Sequence, residues 1–120
     1  MRGTIAVDFD GVLHDYGKVS WRAEHVICGP PIPGAIEWLN GLSMCFNIVI
    51  LTCRGRTWRG RRAVKRWLWE RGFSPHCKRW QDVGLVVTDR KPLASLYVDD
   101  RAYLFDGSFP DRSAITIYNP

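Results

Sequence analysis

The chain has 120 residues, 46% hydrophobic and 24% charged, with a formal net charge of +5. These proportions suit one globular domain. No apolar run approaches the roughly 20 residues that cross a bilayer, and Met1-Arg2-Gly3 enters a strand without the apolar core and cleavage site of a secretion signal, so a cytoplasmic location is expected.

The first predicted strand is Thr4 to Val7, and it ends on Asp8-Phe9-Asp10-Gly11. A buried strand should not close on two carboxylates unless something compensates them. Alternation turns Phe9 away from both acids. Gly11 allows a sharp turn that brings backbone N–H groups toward an anion. From Val12 to Pro31 the chain is irregular, broken by Gly17, Gly29, Pro30 and Pro31, and the alternation of Val19 and Trp21 allows a short hairpin. His14 in this stretch reads as a surface histidine.

Pro33-Gly34 opens a helix to about Met44, with Ile36, Leu39 and Leu42 at helical spacing. Asn47 to Thr52 is a second strand. A second helix runs from about Thr57 to Arg71, with Val64, Trp67 and Leu68 on its apolar face and Gly72 as its stop. Ser74 to Val83 shows no period and is read as a loop. Gly84 to Thr88, Ser95 to Val98 and Ala114 to Tyr118 complete the strands. Strands alternating with helices predict an α/β fold with a mainly parallel sheet. In such sheets ligands gather at the carboxyl ends of the strands. Asp8, Thr52 and the pair Asp99-Asp100 all lie at such ends, so parallel neighbours would bring them to one edge.

Cys28, Cys45, Cys53 and Cys77 form no CxxC pair and match no zinc spacing, which predicts free, mostly buried thiols.

Carboxylates crowded at one edge raise one another's pKa unless a cation joins them. A hard divalent ion such as Mg2+ takes oxygen ligands and shares substrate phosphate oxygens. A carboxylate held near phosphorus can act as nucleophile, and one two residues on can carry protons. Lys91, ahead of Pro92, would neutralise charge developing on a phosphate, and Thr52 can offer it a hydroxyl and an N–H. Taken singly, an Asp-x-Asp turn, a strand-terminal threonine or an Asp-Asp cap is ordinary.

Their order carries more. "VDFDGVL", "IVILT", Lys91 and "LYVDD" follow one another across nearly the whole chain, and this series resembles the haloacid dehalogenase-like phosphohydrolase superfamily. Val12 stands where a threonine is commoner. The resemblance implies a three-layer Rossmann-like sheet and an aspartyl-phosphate formed on Asp8. It implies Asp10 as general acid/base, its backbone carbonyl also meeting Mg2+. Asp8, Asp99 and Asp100 would complete the metal site, which of the last two binds directly being open. Thr52 and Lys91 would bind the substrate phosphate, with Lys91 also restraining Asp8; beside what the resemblance implies, Gly11 through its turn, Cys53, and Arg54 and Arg56 at the active edge are further phosphate-binding candidates. Such enzymes choose substrates with inserted caps, but here residues 12–31 hold only a short flap and the later gap only a helix, a loop and a strand. A minimal capless member, with an open site, is therefore expected.

Between Arg54 and Arg71 stand eight basic residues and a single acid, Glu70. This run reads either as a solvated helix face or as a phosphate or nucleic-acid site. Trp58, Trp67, Trp69 and Trp80 are available to stack bases, although Trp67 suits a core. The segment "TCRGRTWRGRRAVKRW", with "YVDDR", also resembles the phosphatase domain of phage polynucleotide kinase. A Mg2+-dependent phosphatase acting on polynucleotide 3′-phosphate ends is thus expected, with a small-molecule or nucleotide phosphatase, or a nucleic-acid-binding module with a vestigial site, as alternatives. The partners expected are a phosphorylated substrate and nucleic acid along Arg54–Arg66, with no membrane.

Overall fold

In the computed structural model, residues 3–18, 21–74 and 85–115 are described. Strand β1 (Thr4–Asp8) leads through a single 3-10 turn (Tyr16–Lys18) to helix α1 (Ala35–Ser43) and strand β2 (Asn47–Leu51). A second 3-10 turn (Cys53–Arg56) precedes helix α2 (Trp58–Glu70), which is followed by β3 (Val86–Thr88) and β4 (Leu96–Val98). The β-branched run Ile48-Val49-Ile50 suits a strand, with Ile48 and Ile50 buried on one face and Val49 half-buried on the other. Thr57 caps α2 by accepting from Gly60 N–H at 3.0 Å, and Gly72 follows the helix at φ 93°, a left-handed conformation that glycine takes at no steric cost.

The sheet order is β3-β2-β1-β4, and every pairing is parallel. Register sets Ile5 beside Ile48, Val7 beside Ile50, and Ile50 beside Val87. These side chains share one face, and α1 (Ala35, Leu39) and α2 (Val64, Trp67, Leu68) join them in a single apolar core. Phe9 continues the stripe and is fully buried, so the alternation expected between the two acids holds. On the other face Ala6 lies beside Val49 and Tyr97, and Val49 beside Val86; Val86 and Tyr97 are exposed. Among the described residues both helices therefore cover one face, and the second helical layer of the expected three-layer arrangement is not formed by them.

Three local readings differ from expectation. His14 is buried, not superficial, because its ring packs on Phe9 and Trp67. Cys28, Cys45 and Cys53 are free but exposed, since all three sit in loops or at a turn beyond the core. The last predicted strand begins at Ala114, which instead closes a 3-10 turn (Arg112–Ala114) capped by Asp111; residues 116–118 lie outside the described residues, as do Val19, Cys77, Trp80, Gly84 and most of the predicted 74–83 loop. No helix among the described residues is long and apolar enough to cross a membrane.

Candidate active site

Chain path locates the site. From β1 the chain steps outward through α1 to β2 and through α2 to β3, then returns past β1 to β4. The direction of progress reverses between β1 and β4, and the crevice at such a reversal, at the carboxyl ends of the strands, is where open parallel sheets bind ligands. Asp8 ends β1 and Asp99-Asp100 follow β4, so the acids flank this crevice.

The carboxylates of Asp8, Asp99 and Asp100 converge there, each with an oxygen within 4.8 Å of the others. Near 4 Å, two like charges repel by about 1 kcal/mol in water and about 4 kcal/mol at an effective dielectric of 20. Partial burial of Asp8, then the charges of Asp99 and Asp100, push its pKa up to about 7, against the opposing hydrogen bond from Phe9 N–H. An all-oxygen set under mutual repulsion fits a hard divalent cation better than a zinc-type ion. Gly11 completes the wall: its φ is 92°, and a Cβ there would overlap the Asp100 carboxylate. The Gly11 N–H is taken by His14 O at 2.9 Å, so what this glycine supplies is room for Asp100.

Proton competition makes the site testable. Below pH 7 a cation must displace the Asp8 proton, so its affinity should fall about tenfold per pH unit, and level off above pH 7. Mg2+ titrations followed by calorimetry at pH 6, 7 and 8 check this; equal, weak heats at all three values would remove the cation site.

The carboxylate of Asp10 faces elsewhere. Its Oδ1 is 2.8 Å from His14 Nδ1, and its Oδ2 accepts from Arg54 Nε at 2.9 Å. Gly29 N–H donates to His14 Nε2 at 2.9 Å, which leaves the ring proton on Nδ1, directed at Asp10. Burial would raise the Asp10 pKa, but the hydrogen bonds from His14 and Arg54 outweigh it and hold the group below the usual carboxylate value. Asp10 is thus ionised, and only its backbone remains to meet a cation shared by the other three acids.

A cleft of about 1380 Å³ opens over the cluster, lined by Asp8, Thr52, Cys53, Lys91 and Asp99, with Trp21 and Tyr97 among its aromatic walls. Thr52 is buried at the end of β2; its N–H continues the ladder to Thr88 O at 2.8 Å, and its Oγ1 accepts from Arg54 N–H at 3.2 Å. The hydroxyl proton is what it can offer a ligand. Partial burial of the Cys53 thiol, with Asp10 nearby, pushes its pKa up, so it stands as a protonated thiol with little nucleophilic character. Lys91 Nζ lies 4.8 Å from the Tyr97 ring centroid. Arg54, by contrast, is only 2% exposed and directs its guanidinium into the protein. Arg56 lines the cleft and pairs with Glu24. The sequence reading put His14 on the surface and Arg54 among the phosphate binders, whereas both are buried and bound to Asp10; the one available signal was a histidine four residues after Asp10, across the Gly11 turn.

Comparison with protein-family models, with curated proteins and with solved structures returned no match to this chain. The chemistry of the cleft itself therefore carries the functional reading.

Proposed function

We propose that this chain is a Mg2+-dependent phosphomonoester hydrolase, a capless haloacid dehalogenase-like enzyme with a Rossmann-like sheet. The observation that carries the reading is the convergence of Asp8, Asp99 and Asp100 at the reversal point of a parallel sheet, beneath an open cleft. Asp8, Asp99, Asp100 and the Asp10 backbone carbonyl would hold the cation. When bound, the cation neutralises carboxylate and phosphate oxygens and makes the phosphorus more electrophilic.

The side chains divide the work. An Asp8 oxygen attacks phosphorus, the bond to the leaving oxygen breaks, and the departing alkoxide takes a proton from Asp10. Asp10 then takes a proton from water, whose oxygen attacks the same phosphorus and releases Asp8. As it stands, Asp10 is an ionised acceptor of two hydrogen bonds and suits the second step; the first requires it to gain a proton. Thr52 and Lys91, on the cleft wall, bind phosphate oxygens. Cys53 offers a neutral neighbour.

The substrate we favour is a polynucleotide 3′-phosphate end. The open cleft admits a chain end, Cys53 and Arg56 of the 3-10 turn ahead of α2 line it, and α2 itself exposes Trp58, Arg59, Arg62 and Arg66, with the Arg62 guanidinium 5.3 Å from the Trp58 ring centroid. Small phosphates such as nucleotides are the second reading. Free thiols at Cys28, Cys45 and Cys53 accord with a cytoplasmic location.

Phosphate release should appear with Mg2+ and vanish with a chelator. A 3′-phosphorylated oligonucleotide should be preferred to 5′-mononucleotides, and its binding should weaken steeply with salt. Better turnover of mononucleotides would shift the reading to a small-molecule phosphatase. Salt-sensitive oligonucleotide binding with no hydrolysis of any ester would leave a binding module with a vestigial site.

A further inference from the structure

Arginine enters a protein interior only when its donors are satisfied. Arg54 meets that condition through the flap. Its Nε donates to Asp10 Oδ2, and NH1 donates to the backbone carbonyls of Val26 at 3.0 Å, Glu24 at 3.1 Å and Ala23 at 3.2 Å. The guanidinium carbon lies 4.3 Å from the centroid of the Trp21 ring, which is itself 52% exposed, and 5.8 Å from that of Phe9.

The far end of the flap is tied to the same carboxylate. Gly29 N–H donates to His14, and His14 donates to Asp10 Oδ1. Each oxygen of Asp10 is therefore gripped by a side chain that also grips the flap: Oδ2 through Arg54 to residues 23–26, and Oδ1 through His14 to residue 29. Trp21 and Glu24 stand on the cleft wall, so the same segment faces the substrate space.

We propose that Arg54 is a positioning residue that latches flap residues 21–29 to Asp10, so that one guanidinium sets both the cleft wall and the aim of the Asp10 carboxylate. Its consequence for turnover rests on the reading of Asp10 as proton carrier; the latch itself does not. Lysine retains the charge but lacks the planar fork, and one ammonium cannot reach Asp10 and the flap carbonyls together. The burial of Arg54 follows from this role: a phosphate-binding arginine would face the cleft, whereas a latch must sit beneath the flap.

The test is R54K, read first by amide hydrogen exchange. Val26 N–H, bonded to Ala23 O, and Gly29 N–H, bonded to His14, should exchange about tenfold or more faster, while amides of β1 and β2 keep their protection. In Mg2+, kcat on p-nitrophenyl phosphate should fall about 10²-fold with KM within a few-fold of wild type, the mark of a misaimed group. In R54A, millimolar guanidinium should restore part of kcat and ammonium should not. Wild-type flap exchange and kcat in R54K would overturn the latch.

If β1 and β2 amides also lose protection in R54K, Trp21→Ala serves instead, because it uncovers the guanidinium without opening the core; unchanged Val26 exchange there would equally overturn the proposal. Absence of Mg2+-dependent turnover in the wild type would defeat the hydrolase reading, yet flap exchange would still decide the latch.

Discussion

Replacing Asp8 by asparagine should abolish phosphate release, by a factor on the order of 10⁴ or more, because the amide cannot form the acyl-phosphate bond and no neighbouring carboxylate can reach phosphorus along the same path. The same substitution should stabilise the cation-free protein at alkaline pH. In the folded chain the Asp8 pKa rises from 3.8 to about 7, first by burial and then by Asp99 and Asp100. The folded state thus binds the proton more tightly than the unfolded one, and stability falls as pH rises from 3.8 to about 7, the loss being complete above that value. Each pKa unit corresponds to about 1.4 kcal/mol. Solvent access at the open cluster reduces the total to about 1–2 kcal/mol.

The amide introduced by D8N carries no charge to repel, so with a chelator at pH 8 the variant should melt about 5 °C or more above the wild type, and the gap should close toward pH 4. Added Mg2+ should reverse the order, since it rescues the wild-type cluster more than the variant's. Thermal melts at the two pH values, with and without Mg2+, give all four comparisons. Equal phosphate turnover by D8N and wild type would remove Asp8 as nucleophile, and equal chelated melting points at pH 8 would remove the repulsion.

Replacing Gly60 by alanine should destabilise the fold by about 2 kcal/mol, although helix propensity alone favours alanine by about 0.5–1 kcal/mol. Gly60 lies in the first turn of α2, where that turn rests on the preceding 3-10 turn. A Cβ there would overlap the Arg54 carbonyl oxygen and come within 3.0 Å of Arg54 C and Thr57 Oγ1. Neither neighbour can yield: Arg54 is anchored through its side chain, and Thr57 holds the helix cap. Gly41, exposed in α1 with nothing within 4 Å of a built Cβ, provides the contrast. G41A should gain about 0.5–1 kcal/mol. Denaturant melts of the pair measure the tertiary contact at Gly60 with propensity held equal; matching gains in both would show that the turn and helix do not press together. G60A should also lose turnover beyond its stability loss, because displacing the Arg54 backbone moves the group that grips Asp10.

Legibility divides by the range of the interactions involved. The elements of the described chain follow local signals: Ile36, Leu39 and Leu42 at helical spacing, the β-branched run of β2, Thr57 as cap and Gly72 as stop. Helix ends came within a residue or two, and β3 and β4 are each shorter at their start than expected. The acid cluster was legible because polarity broke the hydrophobic pattern at strand ends, and parallel pairing then carried Asp8, Asp99 and Asp100 to one edge. Arg54 and His14 were not legible. Both look polar and superficial in a one-dimensional pattern, and their burial depends on carbonyls and an N–H from a flap that has no periodicity of its own.

By itself, then, the sequence determined the alternation of strands and helices, the acids at the strand ends and the basic character of α2, because these depend on spacing along the chain and on side-chain type. Tertiary structure alone decided that Asp10 turns from the acid cluster, that Arg54 faces inward and that Gly60 must lack a Cβ. Each of these depends on groups distant in sequence or on a backbone close approach, and the free energy of a buried charge is set by the partners that reach it rather than by its neighbours in the chain.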